Sequence, residues 1–161
     1  MSQPGRIDGF QFARSGSRLS GRIESAQLPR LAGSQATCDG LAYDLQGGES
    51  RSGKPGFRLW VEGALMLVCQ RCMGPLEFPL AIDVELELAG TREEIEQADD
   101  EIDRVLASRE MEVAELVEDE VMLALPMAPR HEACGPSQAA KNSGRVSPFG
   151  ALAGLKRGPG H

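Results

Sequence analysis

At 161 residues, with 41% hydrophobic and 25% charged residues, the chain has the length and composition of one soluble domain able to bury a core. Aromatic residues make up 4%, too few for a base-stacking platform, and no apolar run approaches the length of a membrane span. A net charge of −7 counts against a generic phosphate-neutralising surface.

The charge is uneven along the chain. Residues 1–30 hold five Arg against Asp8 and Glu24, residues 87–120 hold fourteen acids against three Arg, and residues 127–161 hold five Lys or Arg against Glu132. Two basic ends flank an acidic middle. That layout suits RNA at the ends or a basic protein at the centre, with solvated faces as the plain alternative. The N-terminal residues lack the apolar core of a signal peptide, so a cytoplasmic location is expected. The four cysteines are then reduced thiols or metal ligands rather than disulfides.

Taken in order, Phe10 and Phe12 alternate within residues 7–14 and predict a short edge strand. Another is expected over residues 22–26. Pro29 suits the first turn of a short helix at residues 28–31. Leu41, Tyr43 and Leu45 alternate as a strand. Residues 47–56, rich in Gly and Ser with Arg51 and Lys54, read as a flexible basic loop. Cys38 has no partner at ligand spacing and reads as a small buried hydrophobe.

Residues 57–88 organise the rest. Phe57, Leu59, Val61, Leu65, Leu67 and Cys69 alternate with polar residues on the way in, and Leu76, Phe78, Leu80, Ile82, Val84, Leu86 and Leu88 on the way out. Side chains alternate faces along a strand, so this is one long antiparallel hairpin with an apolar face. Gly63 predicts a bulge or bend in its first strand. Residues 91–103 read as a mobile acidic loop, and Ile102, Val105 and Leu106 as a short strand.

Over residues 112–125, Val113, Leu116, Val117, Val121 and Ala124 recur three and four apart, the stripe of an amphipathic helix. Glu115, Glu118, Asp119 and Glu120 would give it an acidic outer face. Pro126 and Pro129 stop it. Residues 135–146 are small and polar, as in a flexible linker. Ser147 and Pro148 can open a short amphipathic helix over residues 147–157, with Phe149, Leu152 and Leu155 on one side. It docks either on its own domain or on a partner. The predicted fold is α+β. An antiparallel sheet built on the long central hairpin is packed by one main helix within residues 1–134, and a flexible tail ends in the short helix.

Cys69 and Cys72 are three apart, as are His131 and Cys134. Zinc takes four nitrogen or sulfur ligands in a tetrahedron, and each pair spans one edge. The four make a candidate structural zinc site, provided the helix returns to the hairpin tip. Plain reduced cysteines are the alternative, and a Cys-x-x-Cys thiol redox protein is a third reading, without a thioredoxin-like βαβ pattern to support it. No phosphate-cradling loop, nucleophile elbow or other catalytic constellation is present, so an enzyme is not expected.

Four motifs carry a resemblance. They are Val68 through the Cys69-Gln70-Arg71-Cys72 turn, residues 116–126 ending Leu125-Pro126, His131 with Cys134, and the terminal run from Pro148 to Lys156. Together and in this order they resemble the YceD family, also called the DUF177 family. Ser147 and Gly150 stand where relatives commonly carry Asn and Ala. The resemblance implies a bacterial, non-catalytic factor for synthesis, processing or stability of 23S ribosomal RNA, or for large-subunit assembly. Two partner readings follow. Either Arg71, Arg145, Lys156 and Arg157, with the Phe149, Leu152 and Leu155 stripe, meet large-subunit rRNA or a pre-50S particle. Or the acidic helix face escorts a basic ribosomal protein. Neither involves a membrane.

Overall fold

The computed structural model describes residues 5–97 and 101–134. In chain order these form β1 (Arg6–Ile7), α1 (Gly9–Arg14), β2 (Arg18–Ile23), a 3-10 turn (Ser25–Gln27), α2 (Pro29–Gly33), β3 (Leu41–Glu49), β4 (Pro55–Val68), β5 (Pro75–Ala89), α3 (Arg92–Glu96), β6 (Asp103–Leu106), β7 (Met111–Glu112) and α4 (Val113–Ala124). The fold is mixed α+β. A five-stranded sheet has the order β2-β3-β4-β5-β6, and β1 pairs with β7 apart from it.

Strands β4 and β5 pair without interruption from Gly56 opposite Glu87 to Val68 opposite Pro75. Leu59, Val61, Leu65 and Leu67 are buried on one face, while Arg58 and Glu62 face out. Gly63 pairs directly with Leu80, so there is no bulge. Its reason is packing: a Cβ there would come within 2.6 Å of Leu41 Cδ2. Strand β6 corrects the all-antiparallel expectation, since it runs parallel to β5 from Leu86 opposite Asp103 to Ala89 opposite Leu106. A parallel neighbour needs a crossover of a dozen or so residues, and the connection containing α3 supplies it. The mobile-loop expectation for residues 91–103 also fails at α3, which Thr91 caps by accepting from the Glu94 amide.

The expected edge strand over residues 7–14 is instead α1. Asp8 decides this by accepting the Gln11 amide hydrogen at 3.0 Å, which satisfies a first-turn donor. As a helix, the segment buries Gly9 and Ala13 one turn apart and sets Phe12 edge-on to Phe57 at 5.8 Å between centroids. Gly47 permits this, because a Cβ there would run into the Phe12 carbonyl. Helix α1 lies on β3 and β4, α4 lies on β5, and α2 packs against α4. Cys38 is half-buried against the core.

The loop expected over residues 47–56 narrows to a turn at residues 50–54. Strand β3 runs through Gly47 and Gly48, β4 begins at Pro55, and the turn between them wraps a buried charge. Glu87, 0% exposed, sits between Arg104 Nε at 2.9 Å and Lys54 Nζ at 3.2 Å, and accepts from Ser50 and Ser52. Buried carboxylates persist when paired and hydrogen-bonded in this way.

Candidate metal centre

The hairpin register fixes the first ligand pair. Between Val68 and Pro75 the chain turns in six residues, with the Cys69 amide donating to the Gly74 carbonyl and the Met73 amide donating to the Cys69 carbonyl, both at 2.9 Å. The turn puts its left-handed residue at Met73, φ 61°, rather than at Gly74. Cys69 is buried, and Cys72 is half-buried beside it.

The second pair returns to this turn. Helix α4 ends where Leu125 takes an extended conformation ahead of Pro126. The chain then doubles back, and the Gln70 amide donates to the Pro129 carbonyl at 2.8 Å. That bond places His131 and Cys134 over the tip. Cys69 Sγ lies 3.5 Å from Cys134 Sγ, and His131 Nδ1 lies 3.4 Å from Cys72 Sγ and 3.6 Å from Cys134 Sγ. All four ligand atoms fall within 4.8 Å of one another.

These separations fit a zinc tetrahedron. Bonds of about 2.3 Å to sulfur and about 2.0 Å to nitrogen imply S···S edges near 3.8 Å and S···N edges of roughly 3.5 Å. The histidine is also correctly prepared. Its Nε2 sits 2.9 Å from the Pro75 carbonyl, which can only accept. Nε2 therefore carries the proton and Nδ1 keeps its lone pair for a metal, the outer-shell arrangement common to histidine ligands. Burial works against charge on Cys69, but the backbone amides of Cys72, His131 and Arg71, with the Cys134 thiol, outweigh it and bring its pKa down to about 5. Burial raises the Cys134 pKa, and the neighbouring Cys69 and Cys72 raise it further. The same contacts favour the thiolate at this corner, which is the form that binds metal. Three thiolates and one imidazole can hold a structural zinc ion with no position left for water.

The other sequence-predicted site residues divide. Arg71 is exposed on the turn itself. Arg145, Phe149, Leu152, Leu155, Lys156 and Arg157 lie outside the described residues, as do the expected linker and tail helix. The acidic outer face does not form as read. Glu115 and Asp119 are exposed, but Glu118 and Glu120 are buried. Glu118 Oε1 accepts from the Arg30 and Leu31 amides at 2.8 and 3.1 Å, and Oε2 from Arg30 Nε at 2.9 Å. It serves as the N-terminal cap of α2, which begins at Leu28 and Pro29 and has no capping side chain of its own. Sequence reasoning missed Arg130, exposed beside His131, and the Pro75 and Pro129 carbonyls that lock the site. Backbone acceptors leave no mark in residue identity.

Residues 57–156 match the family model described as Large ribosomal RNA subunit accumulation protein YceD. The chain belongs to the YceD family. The match spans the hairpin, α4 and both ligand pairs, so the metal corner lies within the shared part of this YceD-family chain. Its role is accordingly a non-catalytic one in the accumulation of large-subunit ribosomal RNA. No curated protein and no solved structure matches the chain. Among the described residues, no helix is long and apolar enough to cross a membrane.

Proposed function

We propose that this YceD-family chain acts in 23S rRNA accumulation by touching the rRNA of an assembling large subunit through its metal-clamped hairpin tip. The observation that carries this is the pairing of a rigid corner with unpaired cations. Arg71 and Arg130 are both exposed, flank the backbone bond from Gln70 to Pro129, and have no carboxylate partner among the described residues. Strand β3 leaves β4 at Glu62, the Thr37–Met66 bridge is the last pairing on that edge, and β6 touches only residues 86–89 of β5, so the turn beyond Met66 extends past its neighbours in the sheet. A zinc ion would stiffen that extension and lower the entropy lost on contact.

Residues 1–134 act as one cytoplasmic domain on this reading. Residues 135–146 serve as a tether. The segment 147–157 brings Arg145, Lys156 and Arg157, with the Phe149, Leu152 and Leu155 stripe, to the same particle. The escort of a basic ribosomal protein is not adopted, because two of its four contact acids are turned inward.

The test is filter binding of 23S precursor RNA by the zinc-loaded chain and an Arg71→Glu, Arg130→Glu variant. Loss of two phosphate contacts should lower the slope of log affinity against log salt by about 1.4–1.8. An unchanged slope and affinity would remove the tip from the interface.

A further inference from the structure

At the other end of the hairpin, a cleft of about 570 Å³ lies between α1 and residues 107–109. Its lining includes Asp8, Phe10, Gln11, Arg14, Ser108 and Arg109. The Gly9 amide donates to the Ser108 carbonyl at 3.0 Å and ties the two walls together. Arg14 stacks its guanidinium over the Phe10 ring, 5.4 Å from the centroid. Stacking of that kind holds the charge in place and leaves the in-plane N–H fork available.

The cations here are unspent. Arg6, Arg18, Arg30, Arg51, Arg58 and Arg104 each lie within 4.0 Å of a carboxylate. In so acidic a chain, Arg14 and Arg109 have no such partner among the described residues, yet both line one cleft. The single carboxylate among them, Asp8, is engaged by the Gln11 amide. The lining therefore carries a net charge of +1, with an aromatic shelf, a side-chain amide and two serine hydroxyls beside the two guanidiniums.

We infer that this cleft binds the phosphate ester of a nucleotide, with Arg14 and Arg109 on the phosphate and Phe10 against the sugar or base. Two forked guanidiniums match phosphate oxygens better than they match one carboxylate. The volume is in the range that holds a small ligand. The cleft is far from the metal corner. Phe12 of α1 packs edge-on against Phe57, twelve residues along β4 from Cys69, which is roughly 40 Å of strand. An RNA strand seated at both places would run the length of the hairpin. Only that choice of an RNA strand rests on the proposed function. The nucleotide phosphate itself does not.

The experiment uses the full zinc-loaded chain and an Arg14→Gln, Arg109→Gln variant, with AMP and a single-stranded RNA of about 12 nucleotides as probes. Neither side chain holds an ion pair and only the exposed Arg14 stack on Phe10 is lost, so the variant should melt within about 2–4 °C of the parent. AMP should shift the NMR signals of Phe10, Arg14 and Arg109 in the parent, and those shifts should vanish in the variant. For the RNA, affinity should fall at least about tenfold and the salt slope by about 1.4 for two lost single-strand contacts. An AMP response without an RNA effect would keep the site and make its ligand a free nucleotide, even if the tip contact had failed its own test. The inference is overturned if neither probe distinguishes the variant. It is also overturned if a Glu-rich peptide displaces AMP at equal charge concentration.

Discussion

Replacing Glu118 by Ala tests whether this acid belongs to the fold or to a partner surface. Its carboxylate is 3% exposed and accepts three hydrogen bonds, two of them from the first turn of α2. Removing a helix N-cap costs about 1–2 kcal/mol, and α2 has no substitute. The bond to Arg30 adds roughly 0.5–1 kcal/mol. It adds no more because Arg30 is half-exposed and keeps Asp119 at 2.6 Å. The one lost methylene contributes about 0.8 kcal/mol. The sum is about 3 kcal/mol, or a drop of roughly 6–12 °C in Tm for a chain of this size. Urea and thermal melts of Glu118→Ala and Glu118→Gln should show this, with the amide variant in between because it keeps one acceptor. A double-mutant cycle with Arg30→Ala isolates the side-chain pair. A Glu118→Ala variant within about 0.5 kcal/mol of the parent would be behaving as a surface acid, and the capping argument would be wrong.

The metal corner should take up one zinc per chain. Cys72→Ser or Cys134→Ser should abolish uptake, while Cys38→Ser leaves it intact, as read by elemental analysis and by the absorption of a cobalt-loaded sample. Chelation should lower Tm, since a metal that binds only the folded state stabilises it. No change on chelation would mean that the four side chains are unmetallated thiols and imidazole. Glu120 is held above its usual 4.5 by burial, then by Asp103 and Asp119. A carboxyl whose folded pKa is raised binds more protons in the native state, so its contribution to stability falls as pH rises above about 4.5. Glu120→Gln should therefore raise Tm at neutral pH, and the gain should close below pH 4.5; a gain constant with pH would contradict this. Glu87 is the opposite case. Burial opposes its charge, but Ser52, Lys54 and Ser50 together hold its pKa below 4.5. Its contribution is present above that value and is lost on acidification, so Glu87→Gln should flatten the acid limb of the stability profile. Gly47→Ala must push α1 off the sheet and should cost roughly 1–3 kcal/mol in a urea melt.

Local pattern was enough for the hairpin and for α4. Period-two alternation over residues 57–88 and the three-and-four spacing from Val113 to Val121 each repeat often enough to exclude the other element. Alternation failed where it was short. Phe10 and Phe12 by themselves fit a strand, and the Asp8 cap, the Gly9 and Ala13 face and the Phe57 contact chose the helix. The cysteine spacing also pointed to the four candidate donors, which the fold brings within 4.8 Å of one another, because two pairs of zinc-type donors are a chemical signature wherever they fall.

What residue order alone determined, then, is the long hairpin, the principal helix and the four donors. Each depends on neighbours within a few positions. What only the tertiary structure decided is how distant groups meet. The Gln70 to Pro129 bond closes the candidate metal corner, Glu118 crosses to cap α2, Arg104 comes to Glu87 on a parallel strand, and Arg14 and Arg109 come to line one cleft. Charge in a sequence has a sign but no direction. Whether an acid faces solvent or serves a helix end is settled only when the backbone brings unsatisfied amides to it.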